Sequence, residues 1–397
     1  MHLRSLAGFD LIDKSLRVWR VEGGTALLGK VCRRLLLLGK ADSLATRLLQ
    51  RVAKGPVDLV SETTYEDRMK GELAWFENVT DVHALPPIFN YWAEKFLAPK
   101  CRELDIPGVT EFFVRYVEAA CLARPDGTVH VASLGAGNCE TEVAIAEQLL
   151  AKKVTDFTID CIDVNGQMLG RGRTLAETRG VAQSLRFVEA DINAWNVEEG
   201  YDVVMANQSL HHFQELELLF GKTRQAIGAN GVFVISDVIG CNGHMRWPEA
   251  LAVVHRIWRT MPDRYKYNHL LRRHEKLYEN WDCSVGGFEG IRAQDILPLL
   301  METFYFELFF SYGNIIDIFI DRAFGHNFDV NNEVDRRFID TVGALDDELI
   351  AKGTVKPTHL IAVMRGAPCG TTKAYRHLTP EFCLRFPDAD RSVRASA

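Results

Sequence analysis

The chain lacks several things that would have placed it quickly. Its nine cysteines (Cys32, Cys101, Cys121, Cys139, Cys161, Cys241, Cys283, Cys369, Cys383) form no C-x-x-C pair. That spacing argues against a zinc ribbon or a disulfide framework and for reduced, cytoplasmic thiols. No apolar run approaches the roughly 18 residues that a membrane span requires. In the N-terminal region the longest is Leu35 to Leu38, flanked by Arg33, Arg34 and Lys40. The first twenty residues hold no continuous apolar core, so no secretory leader is expected. There is no basic excess either: the formal net charge is −7, which disfavours a dedicated nucleic-acid binder. Internal repeats and low-complexity runs are absent.

What is present is ordinary globular material: 397 residues, 47% hydrophobic and 25% charged. The length suits one large domain with additions, or two domains. Residues 1–60 stand apart, with 11 basic against 5 acidic residues, where the remainder has 35 against 48. Ala26 to Lys54 interleaves leucines and valines with Lys30, Arg33, Arg34, Arg47 and Arg51. A basic amphipathic helix of this kind packs on its own protein or on a second subunit of a homodimer, or lies peripherally on an anionic membrane.

The informative stretch is Val129 to Glu142, VHVASLGAGNCETE. It reads as a buried strand, a tight glycine turn and a helix from Glu140. Such a cradle binds nucleotides in open α/β sheets. A dinucleotide site would want G-x-G-x-x-G, but the third glycine position is Glu140, with Glu142 just beyond. Two carboxylates suit the helix dipole and would repel a pyrophosphate. A phosphate-free nucleoside carrying a positive centre fits better, and S-adenosylmethionine is the candidate.

From there strands and helices alternate, the pattern of a parallel sheet covered on both faces. Apolar runs at Phe157–Ile162, Leu185–Val188, Tyr201–Ala206 and Val232–Ser236 end at Asp163, Asp191, Asn207 and Asp237. Ligands of open α/β sheets bind at that edge. Ahead of the sheet, residues 1–118 read as a helical region whose aromatics (Tyr65, Trp75, Phe76, Phe89, Tyr91, Trp92, Phe96) serve as anchors of a lid. Residues 119–239 form the nucleoside-binding core and 240–292 a helical cap inserted over its edge. Residues 293–366 complete the core around a second insertion, and 367–397 read as a loose tail.

As an ordered set these motifs resemble class I S-adenosylmethionine-dependent methyltransferases. The carriers are the glycine turn, Asp163 closing the second strand, Ala190-Asp191-Ile192, Tyr201-Asp202-Val203-Val204 leading to Asn207, Leu210-His211-His212-Phe213, and QAIGANGVFVISD from Gln225 to Asp237. The resemblance implies a doubly wound seven-stranded α/β sheet with its last strand antiparallel, and S-adenosyl-L-methionine as cofactor. By position, Gly135, Ala136, Gly137 and Asn138 would line the methionine part, and Asp163 would take the ribose hydroxyls. Val164, Met168, Asp191 and Ile192 would neighbour the adenine, with Asn207 and Gln208 near the sulfonium. Ser133 stands where many relatives carry an acid, and Glu140 or Glu142 is expected to compensate.

If the acceptor is a hydroxyl, a base must take its proton, and histidine is the default. His211, His212 and His244 flank the expected reaction centre. Arg292, in the run GFEGIRAQD with Glu289 and Asp295, holds either a substrate anion or a structural ion pair. His211, His212 and Cys241 show no repeated ligand spacing and no acidic neighbour in sequence, so no metal site is expected. The functional expectation is methylation of a small molecule or glycan, at oxygen. Three alternatives compete: cyclisation or aminocarboxypropyl transfer with the same cofactor, a nucleic-acid methyltransferase, and a binding protein without turnover. The net charge and Asn207-Gln208-Ser209, in place of a Pro-Pro-aromatic run, disfavour the nucleic-acid reading.

Overall fold

The computed structural model describes residues 65–76, 85–195, 200–285 and 287–385. The basic stretch Ala26 to Lys54 lies outside them. The fold belongs to the compact unit Arg68–Ala397; of the unit Met1–Asp67 only the start of the helix Tyr65–Phe76 is described.

Eight strands form the main sheet. They are β1 Val129–Leu134, β2 Phe157–Asp163, β3 Leu185–Glu189, β4 Val203–Asn207, β5 Val232–Val238, β6 Tyr305–Tyr312, β7 His359–Arg365 and β8 Lys373–Ala374. The central strands VHVASL, VVMAN and VFVISDV are apolar on both faces and almost wholly buried, as strands sandwiched between helices must be. Their order is β8-β6-β7-β5-β4-β1-β2-β3. All pairs are parallel except those of β7, which runs antiparallel to β5 and β6.

The order reverses beside β1. The chain winds outward through β2 and β3, then returns to place β4 on the other side of β1. The helices after β1 and β4 therefore leave to opposite sides, and a crevice opens at the carboxyl ends of these two strands. The register sets Asn207 opposite Ser236, so Asp237 falls one step past the pairing partner of the last β4 residue.

Two expectations need correction. The sheet has eight strands rather than seven, because Lys373–Ala374 adds to β6 in parallel. The residues after Gly366 are accordingly not loose as far as 385. Thr372 Oγ1 donates to the Phe306 carbonyl (2.9 Å), and Tyr375, Leu378 and Cys383 are buried. A two-residue strand is too short to show periodicity, which is why the sequence did not disclose it.

Tyr91, Trp92 and Phe96 are anchors on a neighbouring helix. Trp92 is buried, and Tyr91 donates from its hydroxyl to Asp340 (3.0 Å) on the helix Glu333–Ala351. A Cβ at Gly343 of that helix would lie 3.2 Å from the Phe96 ring, so the two helices meet closely there. The lid-like contact falls to Arg68, whose guanidinium donates to the carbonyls of Ser284 (2.9 Å) and Gly287 (2.7 Å) in the cap. Among the described residues no helix is long and apolar enough to cross a membrane.

Candidate active site

The turn after β1 needs glycine for steric reasons. Gly135 has φ +71° and a Cβ there would lie 2.6 Å from the Ser209 Cβ; Gly137 has φ +54°. Asp163, at the end of β2, locks this turn. Its carboxylate accepts from the Gly137 amide (2.8 Å) and from the Asn165 amide (2.8 Å). Asn138 is buried and accepts from Arg171 Nε (2.9 Å), and Met168 reaches to Gly137. Asp191 caps the short turn Ile192–Ala194 by accepting from the Asn193 amide (2.9 Å), with Ile192 buried behind it. Asn207 donates to Thr141 Oγ1 (3.1 Å) at the start of the helix Glu140–Ala151. Gln208, at φ +54°, turns its amide back toward Ser236. Gly135–Asn138, Asp163, Asp191, Asn207 and Gln208 thus all stand at the carboxyl edge.

An acid from the next helix lies beside Ser133. Ser133 Oγ donates to Glu142 Oε1 (2.5 Å), and both residues are buried. Glu142 Oε2 is buried without a hydrogen-bond partner. Burial therefore pushes the Glu142 carboxyl up to about 7, against the help of Ser133. A carboxyl whose folded pKa is raised favours the native state at low pH. That stability is full below the unfolded value near 4.5 and is lost as pH climbs to about 7. The loss amounts to about 3 kcal/mol. Glu142→Gln should unfold like the wild type at pH 4.5 and be the more stable of the two at pH 8, measured by urea denaturation at both. Equal stability at pH 8 would show that the carboxyl ionises freely in the native state.

The other half of the edge is built around Asp237, which has no solvent exposure. Its Oδ2 accepts from the amides of Ser209 (2.9 Å) and Leu210 (2.7 Å), and its Oδ1 from the Val238 amide (2.7 Å). Oδ1 also meets His211 Nδ1 at 2.6 Å. His211 is buried, and its ring lies 4.4 Å from that of His212 and 5.2 Å from that of His244. Burial alone would lower the His211 pKa, but Asp237 and then Glu289 outweigh it and hold it up at about 10.

The cap delivers the remaining groups through two loops zipped by glycine. The Gly243 amide donates to the Gly290 carbonyl (2.8 Å), and the Ile291 amide to the His211 carbonyl (3.1 Å). Gly243 (φ +62°) and Gly290 (φ +67°) both sit in the left-handed region; a Cβ on Gly290 would lie 3.1 Å from the Gly243 and His244 amides. His244 itself is left-handed at φ +54° without being glycine, a conformation that costs about 1–3 kcal/mol and clusters at functional sites. Its Nε2 lies 2.5 Å from Glu289 Oε1. Burial lowers the His244 pKa, and Glu289 opposes that only in part. Burial works to raise the Glu289 carboxyl, yet the nearby His211 and the bond from His244 hold it well below the usual range. Glu289 faces all three histidines: His211 Nε2 is 3.6 Å from one carboxylate oxygen and His212 Nε2 3.5 Å from the other.

The three histidines named from sequence thus converge on one point. Two partners escaped that reading. Asp237 was visible as a strand-end acid, but its pairing with His211 follows from the adjacency of β4 and β5. Glu289 arrives from the far end of the cap. The expectation that no acid lies near the histidines is overturned by Glu289. Arg292 is a structural ion pair and not a substrate anchor. It grips Glu217 with two nitrogens (2.6 and 2.7 Å), Asp295 (2.8 Å) and the Gln214 carbonyl (2.7 Å).

Comparison with known proteins places a match within the core of the sheet. Residues 133–233 match the family model described as a methyltransferase domain. Residues 133–233 therefore carry a methyltransferase domain, whose cofactor is S-adenosyl-L-methionine. Among solved structures it is similar to the DszA carbon methyltransferase (18% identity, 32% of this chain, 35% of that chain, TM-score 0.29). It therefore spans about a third of that protein. It is also similar to the StiE O-methyltransferase segment 961–1257 (12%, 79% and 90%, TM-score 0.38). A third is geranyl diphosphate C-methyltransferase from Streptomyces coelicolor A3(2), solved with Mg2+, geranyl diphosphate and S-adenosyl-L-homocysteine (9%, 76% and 98%, TM-score 0.39). No curated protein matches in sequence.

The residues present fit that cofactor. The edge beside the glycine turn offers the carboxylates Asp163 and Asp191, and the helix start offers Glu140. Arg171, the cation beside Asn138, has its Nε committed to that residue's side chain. Such a set of acceptors suits a diol and a sulfonium and would repel phosphate.

Proposed function

We propose that the protein methylates an oxygen of a small molecule or glycan. The observation that carries this reading is the cluster of His211, His212, His244, Glu289 and Asp237 at the carboxyl edge, beside the glycine turn. The bound cofactor supplies a methyl group already activated by its sulfonium. Gly135–Asn138 would hold the methionine part, Asp163 the ribose hydroxyls, Met168, Val164 and Ile192 the adenine, and Asn207 the region of the sulfonium. Asp163 accepts from two loop amides, which fixes its carboxylate beside the glycine turn.

His244 takes the acceptor's proton. It is better placed than His211, because its side chain is 25% exposed where that of His211 is 6% exposed and tied to Asp237. Glu289 orients the His244 ring and balances the charge it gains. The imidazole would hold the proton released by the acceptor oxygen, while the cofactor would supply the methyl group and keep the electron pair of the carbon–sulfur bond on its sulfur.

The test is incubation of the chain with methyl-labelled S-adenosylmethionine and a native small-molecule and glycan extract, followed by mass spectrometry. Label on a hydroxyl, with S-adenosylhomocysteine released, supports the reading. Release of methylthioadenosine would instead mark aminocarboxypropyl transfer. Label on RNA or DNA, or none at all, would also sink it. Asp163→Ala should weaken S-adenosylhomocysteine binding about 10- to 100-fold by calorimetry, the loss expected for hydrogen bonds to a charged acceptor. Affinity within twofold of wild type would take the ribose away from Asp163.

A further inference from the structure

We propose that His211, His212 and Glu289 form a binding site for a divalent first-row transition ion. One ligand atom from each lies within 4.8 Å of the others. Nε2 of His211 and of His212 stand 3.6 and 3.5 Å from the two Glu289 oxygens. These separations are long for hydrogen bonds. They match the gap between neighbouring ligands around an ion with bonds of about 2.1 Å, roughly 3.0–3.5 Å in octahedral and tetrahedral geometry.

The surroundings are those of a metal ligand set. Asp237 occupies His211 Nδ1 at 2.6 Å and accepts three backbone amides besides, so it fixes the ring with Nε2 turned to Glu289. A carboxylate behind a ligating histidine is the usual outer partner, which sets the tautomer and the ring's aim. His244 donates to Glu289 Oε1 at 2.5 Å and does the same for the carboxylate. Two imidazoles and one carboxylate leave coordination positions open for water or substrate. Nitrogen ligands favour zinc, iron(II), cobalt or nickel over calcium and magnesium. The role of the ion, which rests on the methyl-transfer reading, is to polarise the acceptor oxygen so that its proton passes more readily to His244. Binding of the ion does not depend on that reading.

The experiment uses the full chain, stripped with a chelator and titrated with Co2+ while visible absorption is followed. One equivalent per chain should bind, with d–d bands and without a thiolate charge-transfer band. Glu289→Gln and His212→Ala should each weaken Co2+ binding at least tenfold, with circular dichroism confirming the fold. Glu289 is 39% exposed, so its conservative variant keeps the packing. Asp237→Asn should weaken binding about 10- to 100-fold through His211. Absence of saturable uptake, wild-type affinity in both ligand variants, or a thiolate band from nearby Cys283 would each overturn the site. Calorimetry with S-adenosylhomocysteine on the stripped chain reads the nucleoside site separately. Cobalt uptake without nucleoside affinity would remove the methyl-transfer reading and leave the ion site standing.

Discussion

Asp237→Ala should destabilise the protein by about 3–5 kcal/mol, the largest effect expected of any single truncation at this edge. The residue is wholly buried, and its two oxygens hold three backbone amides and the His211 ring. Truncation leaves those donors in a water-free setting, and an unmet buried donor costs about 1–3 kcal/mol. It also leaves His211 without its counter-charge, so its pKa should fall from about 10 as burial takes over. Urea denaturation checks the stability, and the C2 proton resonance of His211 checks the titration. Asp237→Asn retains an acceptor and should lose less. A loss under 1 kcal/mol for the alanine variant would mean that water replaces the carboxylate.

His244→Gln should lower kcat by about 10²- to 10⁴-fold on an oxygen acceptor, with S-adenosylhomocysteine affinity unchanged. The reasoning separates the two halves of the edge. Asp163, Asp191 and the glycine turn come from the β1–β3 side, whereas His244 comes from the cap and makes no hydrogen bond to them. The fold should tolerate the change. His244 donates to a half-exposed Glu289, and Gln can make the same bond. Glu289→Ala should fall in the same direction. Full turnover in both variants would take the proton away from this pair, and a parallel loss of cofactor affinity would make His244 a positioning residue for the nucleoside.

Much of this was legible before any coordinates. Apolar runs ending in Asp163, Asp191, Asn207 and Asp237 announce strands and the edge where ligands gather, because the strand period and the polar stop are local features. The glycine turn and the acids at the helix start are equally local. Of Glu140 and Glu142, the two acids expected to stand in for the one absent at Ser133, Glu142 is the one that bonds to that serine. What escaped depends on adjacency. That Asp237 meets His211 requires β4 to lie beside β5, and that Glu289 meets three histidines requires Gly243 to dock on Gly290. Arg292 could not be assigned from its neighbours, since its chief partner, Glu217, lies in a different helix. The last strand was missed because two residues carry no period.

The zipped loops have one more implication. His244 and Glu289 lie just inside the two ends of the 240–292 insertion, while His211, His212 and Asp237 belong to the sheet beneath it. Exchanging that insertion between relatives would move the proton acceptor and the shape of the acceptor chamber as one cassette, leaving the nucleoside grip untouched. Under the proposed chemistry, what is modified and how its proton leaves would change together, whereas the source of the transferred group would stay with the sheet.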